Sequence, residues 1–361
     1  MRAIQPILIM AGGTGGHVFP ALAVADELRA RGVPVIWLGT RAGIEARLVP
    51  QAGYAIEWLS ISGWRGKGLL NSLLAPARLI VACVQAAQVL LKKRPSAVLG
   101  MGGFASGPGG LMAWLLRKPL LIHEQNAVAG LTNSLLSYVA SEVLEAFPGT
   151  LGKKARYVGN PVRKDIINLP SPEKRLASHD GALRLLVLGG SMGAVRLNEL
   201  VPEAVSKMVQ AARPDVWHQT GLKNYADAQA LYKKFDVDAR VDAFVDDMAE
   251  AYAWADVVIC RAGAMTVFEL AAAGVASVLV PYPHAVDDHQ TANANYLAKV
   301  DAAIVRQQKD LDAEWLHTTI NELTQQRDRL LRMAKSARTQ AKPDAANEVA
   351  KRCILAGGYT V

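Results

Sequence analysis

The chain has 361 residues, 51% of them hydrophobic, and carries 40 Lys/Arg against 32 Asp/Glu for a formal charge of +8. That length exceeds what one core usually fills, so two domains are expected, and the composition excludes a disordered chain. Three cysteines, Cys83, Cys260 and Cys353, are an odd number without metal-ligand spacing, which argues against a disulfide framework or a cysteine zinc site and for a reducing compartment.

In chain order, short β-rich runs alternate with helical patterns. Strands are predicted at 7–11, 34–38, 55–59, 97–100, 120–123, 142–146 and 156–158, with helices over 18–31 and 70–93. Arg2 and the apolar run after it faintly imitate a signal peptide, but glycines break the run, so it reads as a buried strand. No uncharged apolar run reaches 18 residues, so no membrane span is expected. The pattern restarts with a strand at 183–188, a glycine loop and a helix over 194–211, followed by strands at 215–219, 240–244, 256–260 and 276–281. Strand–helix alternation implies parallel sheets, so the fold class is α/β with two doubly wound Rossmann-like domains. Pro161, Pro170 and Pro172 mark 160–182 as the junction. The terminal helical region 310–353 either caps the second domain or crosses back to the first.

The charge is uneven. Residues 1–163 hold 17 Lys/Arg and 7 Asp/Glu, and the remainder 23 and 25. A basic half suits an anionic membrane or nucleic acid as partner. Within it, Leu69, Leu70, Leu73, Leu74, Leu79 and Ile80 gather near Trp64, among Arg65, Lys67, Arg78, Lys92, Lys93 and Arg94. Trp114 with Arg117 and Lys118 repeats the theme. Leucine-rich segments ringed by cations favour a bilayer surface, although periodicity alone reads them as core helix. Nucleic acid is disfavoured, because few stacking aromatics accompany the basic residues.

Glycine loops dominate the motifs. GGTGG at 12–16 follows the first strand, yet Val18 breaks the dinucleotide fingerprint and no Gly-Lys-Ser/Thr follows, so NAD and ATP are disfavoured. His17 then opens a helix at the carboxyl edge of the sheet, either as a packed histidine or as a general base. GMGGFASGPGG at 100–110 reads as a second glycine-dense loop, and HEQN at 123–126 puts Glu124 and Asn126 at the same sheet edge. Arg163, in GNPVR, could reach a pyrophosphate. GGSMG at 189–193 matches the nucleophile elbow of a serine hydrolase, with Ser191 as nucleophile and His218, His284 and His289 as possible partners. The alternative is a phosphate loop. ADVVICRAGAMTVFELAAAG at 255–274 places Glu269 early in a helix, where it can accept ribose hydroxyls or merely complement the helix dipole. PYPHAVDDHQT at 281–291 offers polar groups to a sugar. Asp236-Val237-Asp238 reads as solvated surface, so no metal clamp is expected.

Taken together, GGTGGHVFPALAVA, ISGWRGKG, GMGGFASGPGG, HEQN, GNPVR, GGSMGA, WHQTG, AYAWADVVICRAGAMTVFELAAAG and the DDHQTANA region resemble the MurG family over almost the whole chain. These are bacterial UDP-N-acetylglucosamine transferases of glycosyltransferase family 28, which make lipid II from lipid I. The resemblance implies a GT-B fold of two Rossmann-like domains across a cleft. Residues 1–163 would hold the lipid acceptor and 164–340 the UDP-GlcNAc donor, with a helix near 340–361 returning to the first domain. Carried over by motif, the donor residues would be Thr14, Gly15, Gly16, Asn126, Arg163, Ser191, Val245, Ala264, Met265, Thr266, Val267, Phe268, Glu269 and Gln290. Glu269 would bind the ribose and Gln290 the GlcNAc hydroxyls. Two departures stand out: Phe104 sits where tyrosine is expected, and PYPHAVDDHQ is longer than the matching loop.

The reaction implied inverts the anomeric carbon, with His17 as candidate base and Glu124 as rival, no cofactor and no obligatory metal. The implied location is peripheral, on the cytoplasmic face of the inner membrane, with Leu69, Leu73, Leu74, Arg78, Leu79 and Trp114 as membrane contacts and cell-wall synthesis proteins as possible partners. A sugar-nucleotide epimerase of the same fold is the alternative.

Overall fold

The computed structural model describes residues 5–60, 75–179, 181–190 and 193–359. It divides into two compact units, one of Met1–Arg163 with Lys342–Val361, the other of Lys164–Ala341.

The first unit is built on a seven-stranded sheet in the order β3-β2-β1-β4-β5-β6-β7, every pairing parallel. Its strands are β1 Ile7–Met10, β2 Val35–Thr40, β3 Ala55–Leu59, β4 Ala97–Gly100, β5 Leu120–Glu124, β6 Glu142–Glu145 and β7 Arg156–Tyr157. β1 (ILIM) and β4 (AVLG) are buried at every residue. Such unbroken apolar runs are what a parallel sheet covered on both faces requires. One face buries Val18, Ala21, Val24 and Leu28 of the helix Gly15–Ala30 with Val349, Ala350, Cys353 and Ile354 of the helix Ala345–Ala356. The other face buries Ala86 and Leu90 of the helix Ala75–Lys93 with Ala105 and Ala113 around the helix Ser106–Leu115.

The second unit repeats the plan with six parallel strands in the order β10-β9-β8-β11-β12-β13. These are β8 Arg184–Leu188, β9 Asp215–Gln219, β10 Ala239–Asp242, β11 Val257–Cys260, β12 Ala276–Leu279 and β13 Ala303–Val305. In both sheets the strand order reverses beside the first strand, between β1 and β4 and between β8 and β11. Loops leaving the carboxyl ends of those strands diverge, and a ligand can sit between them.

Several elements differ from the sequence reading. The helix read over 18–31 is Gly15–Ala30, so the last two glycines of GGTGG are its first turn. The stretch 100–110 is not all loop, because a helix begins at Ser106 and holds Gly107, Gly109 and Gly110. The last two serve packing: a Cβ at Gly109 would strike Met10 Sδ, and one at Gly110 would lie 2.6 Å from Leu136 Cδ1. The junction 160–182 is largely folded onto the second unit, with helices Lys164–Ile167 and Pro172–Ala177. There Arg175 donates to the carbonyls of Tyr252, Ala273 and Gly274. β13, unanticipated in the sequence, is only three residues long, too short for a periodic signal. The ISGWRGKG stretch with Leu69, Leu73 and Leu74, and Ser191 in GGSMG, lie outside the described residues.

Candidate active site

In the first unit the two glycine loops meet at the switch point. β1 ends at Met10 beside Gly100 of β4, and Met101 N–H donates to Met10 O at 2.8 Å. The Ser106 hydroxyl donates to the same carbonyl at 3.0 Å, and Trp37 Nε1 donates to Ala11 O at 2.8 Å. Gly102 (φ +91°) and Gly103 (φ +86°) adopt the left-handed conformation. A Cβ at Gly103 would collide with the Gly12 carbonyl, and one at Gly102 would lie 2.7 Å from His17 Cε1 and Nδ1. Part of the bare backbone therefore lets one loop lie directly on the other and seats an imidazole between them.

A residue the sequence reading overlooked anchors the first loop. Glu45 is fully buried, and its Oε2 accepts from Gly13 N at 2.9 Å. Its Oε1 accepts from Thr40 N at 3.0 Å and from Thr40 Oγ1 at 2.7 Å. Gly12 and Gly43 approach this carboxylate so closely that a Cβ on either would overlap it, and a Cβ on Gly39 would lie 2.8 Å from Glu45 Cγ. The available signal was the lone acidic residue in GTRAGIEA, directly after a buried strand.

His17, partly buried, is the third residue of its helix. Its Nδ1 lies 3.0 Å from Gln125 Oε1. Gln125 in turn touches His123, whose Nε2 is 2.9 Å from Gly159 O. His123 and Gln125 are both fully buried, and burial pushes the His123 pKa down to about 4 against a weaker opposing effect of the Gly159 carbonyl. Thr14 caps the helix in extended conformation and is exposed, with Gly15 and Gly16 after it. Arg163 lies over the Phe19 ring of the same helix at 5.4 Å. Thr14 to His17, Gln125 and Arg163 are therefore grouped around one helix start.

Glu124, the rival base, has a different local role. Its carboxylate accepts from Asn126 N (2.9 Å), Asn126 Nδ2 (3.2 Å), Gly130 N (3.2 Å) and Asn133 Nδ2 (2.9 Å), and the residue is buried. Four donors fix it as the organiser of the turn 126–133, and Asn126 is held by it. Phe104 is exposed in the second glycine loop.

In the second unit, loops follow β8 and β11 in the same arrangement. Gln219 brackets the first, accepting from Gly190 N at 3.0 Å and donating to Gly190 O at 3.0 Å. A Cβ at Gly193 (φ +76°) would strike the Thr220 carbonyl. After β11, Gly263 caps the helix Ala264–Ala273 without a side-chain hydrogen bond. The first bond of that helix is Val267 N to Gly263 O, so helix geometry leaves the amides of Ala264, Met265 and Thr266 pointing out of its start. Val267 and Phe268 are buried side chains, and Phe268 stacks on Tyr296 at 5.2 Å. Neither offers a side chain to a ligand. The same holds for Val245, which is buried after β10.

Glu269 lies farther along this helix and is nearly buried, and its Oε2 accepts from the Tyr252 hydroxyl at 3.1 Å. Tyr252, fully buried, aims the carboxylate and was not anticipated. Gln290 accepts from Tyr282 N at 2.9 Å, following Asp287 (φ 53°) and Asp288 (φ 49°), two successive left-handed residues. That conformation is uncommon outside glycine, although Asp tolerates it best, and it marks the PYPHAVDDHQ loop as a tightly specified turn. Arg261 fixes the base of the loop, donating to Val280 O at 3.2 Å and Gln308 Oε1 at 2.5 Å.

One of the three histidines offered to a serine hydrolase is poorly placed for that role. His218 is fully buried with the Tyr232 hydroxyl 2.8 Å from Nδ1, and burial pushes its pKa down to about 3. No group of three or more His, Cys, Asp or Glu placed to hold a metal occurs among the described residues. Among them, too, no helix is long and apolar enough to cross a membrane. Leu79 (46%), Ile80 (65%) and Val84 (52%) on the helix Ala75–Lys93 are exposed, as are Trp114 (47%) and Leu115 (54%) on the helix packed beside it. Arg78 is exposed on the first of these helices.

The glycosyltransferase family 28 N-terminal domain matches residues 7–145, and the family's C-terminal domain matches 184–349. A relative from Nitrosococcus oceani is 54% identical, covering 96% of this chain and 98% of its own length. It is named a UDP-N-acetylglucosamine–N-acetylmuramyl-(pentapeptide) pyrophosphoryl-undecaprenol N-acetylglucosamine transferase. The crystal structure of Acinetobacter baumannii MurG superposes with a TM-score of 0.83 at 42% identity, covering 97% of this chain and 99% of that one. A UDP-GlcNAc 2-epimerase from Neisseria meningitidis reaches a TM-score of 0.67 at 10% identity over 96% and 98% of the two chains, a likeness of fold alone. The epimerase alternative is not favoured, and the two-sheet architecture is that of a GT-B glycosyltransferase. Matched in both halves and by relatives over its full length, the chain belongs to glycosyltransferase family 28.

Proposed function

We propose that this chain transfers N-acetylglucosamine from UDP-N-acetylglucosamine to the C4 hydroxyl of the N-acetylmuramyl group in a pyrophosphoryl-undecaprenol acceptor, lipid I, giving lipid II. The observation that carries the reading is His17, seated between two interlocked glycine loops at a switch point, with one ring nitrogen tied to Gln125. His17 removes the acceptor hydroxyl's proton while that oxygen attacks C1 of the donor sugar. The C1–O bond to UDP breaks, the diphosphate leaves with the bonding pair, and the anomeric carbon inverts. Glu124 holds the neighbouring turn.

The second unit binds the nucleotide. Glu269, aimed by Tyr252, accepts from the ribose hydroxyls, and Gln290 reads the sugar. Departing negative charge is stabilised by the outward amides of Ala264, Met265 and Thr266 and by Ser191, in place of a metal. No cofactor is used. The exposed Leu79, Ile80, Val84 and Trp114, with Arg78 among them, favour peripheral docking on the anionic cytoplasmic face of the inner membrane.

Radiolabelled UDP-GlcNAc incubated with a lipid I analogue tests the reading. It predicts acceptor-dependent label in a β-1,4-linked product. Acceptor-independent conversion of the donor, by epimerisation or hydrolysis, would contradict it.

A further inference from the structure

We propose that Gln125 and His123 are positioning residues that fix the tautomer of His17, leaving Nε2 as its bare, proton-accepting nitrogen. The inference rests on His17 being the base of the reaction above.

His123 Nε2 lies 2.9 Å from the Gly159 carbonyl, which can only accept, so Nε2 carries a proton. The ring is fully buried and neutral near pH 7, so its Nδ1 is an acceptor. The group facing that Nδ1, at 3.1 Å, is the Gln125 side-chain amide, which must present its NH2. A second contact agrees: the same NH2 donates to the His123 carbonyl at 3.1 Å. A flipped amide would set its oxygen against a lone pair and a carbonyl oxygen at once. Gln125 Oε1 therefore faces His17, and at 3.0 Å from Nδ1 it can only accept. The His17 proton sits on Nδ1, and the neutral ring has its lone pair on Nε2.

The surrounding structure leaves this arrangement little freedom. Asn160 Nδ2 donates to Gln125 O at 3.0 Å, and Asn133 Nδ2 donates to His123 O at 3.1 Å. Gly102, without a Cβ, lets the His17 ring lie flush against the second glycine loop. An amide suits position 125 because it has one acceptor for His17 and donors for His123. A carboxylate would supply the first and not the second.

The test reads ring-nitrogen resonances of the full chain labelled with 15N-histidine at neutral pH, assigned with single histidine variants. The expected spectrum shows His17 protonated at Nδ1 and His123 protonated at Nε2. Gln125→Met, of similar volume, should release His17 into a tautomer mixture and lower kcat by at least tenfold, with KM for UDP-GlcNAc changed less than twofold. Gln125→Glu keeps the acceptor for His17 but sets its second oxygen against His123 Nδ1 and the His123 carbonyl, so it should keep a proton on His17 Nδ1 while recovering kcat only in part. His17 protonated at Nε2 in the unaltered chain, a measurement independent of how any variant folds, would overturn the proposal. So would Gln125→Met with an unchanged His17 tautomer. An unimpaired His17→Ala enzyme would instead remove the base assignment and leave the tautomer result standing, so the two failures are distinguishable.

Discussion

Replacing Glu45 by glutamine should loosen the first glycine loop without changing the shape of what fills its cage. The carboxylate accepts three donors: Gly13 N at 2.9 Å, Thr40 N at 3.0 Å and Thr40 Oγ1 at 2.7 Å. Glutamine retains one oxygen for the two Thr40 donors but sets its NH2 against Gly13 N–H, donor to donor. Gly12, Gly39 and Gly43 close around the group, so the new amide cannot swing aside. One buried donor left without an acceptor costs about 1–3 kcal/mol. Urea denaturation should show that loss as a lower midpoint at unchanged slope. Because the loop leads into His17, kcat should also fall, on the order of tenfold or more, as small misplacements of catalytic groups do. A midpoint shift worth less than about 0.5 kcal/mol, the usual limit for innocuous surface changes, with full kcat, would refute the idea that Glu45 holds the loop.

Three further expectations follow from the geometry. Glu269→Ala should weaken UDP binding by about 1–3 kcal/mol, since ribose hydroxyls and the Tyr252 hydroxyl lose their acceptor. An unchanged Kd by calorimetry would remove the ribose assignment. The buried, neutral His123 and His218 have pKa values lowered from 6.5 to about 4 and about 3, so below pH 6.5 the unfolded chain binds protons that the folded chain does not. Stability should therefore fall as pH drops from 6.5 toward 4, by on the order of 3 kcal/mol for each histidine; a urea midpoint flat across that range would contradict this. Co-sedimentation with vesicles should require anionic lipid and weaken with salt, and binding indifferent to both would leave the exposed leucines without a membrane role.

Much of the architecture was legible because both sheets are parallel and buried on both faces. ILIM, AVLG and VVIC are unbroken apolar runs, and glycines mark where each strand hands over to a helix. The boundaries that failed did so for packing reasons. Gly109 and Gly110 read as loop residues but lie in a helix, where a missing Cβ admits Met10 and Leu136. His17 was legible from its place after the first glycine loop. Glu45 and Tyr252 were not: Glu45 reaches the loop through Gly13, 32 residues away, with only a lone acidic residue after a strand to mark it, and Tyr252 acts on Glu269, 17 residues on. Gln125 was half legible. It stands two residues from His123, so strand alternation places both on one side, opposite Glu124. The Glu124 carboxylate drew attention as a base, and only its four donors reveal a structural role.

Removal of the His17 imidazole, the group proposed to accept the acceptor's proton, is the most direct measurement. His17→Ala should lower kcat by about 10²–10⁴-fold, the usual worth of a positioned base, with the Kd for UDP-GlcNAc nearly unchanged. A variant that turns over at the rate of the unaltered enzyme would contradict that assignment.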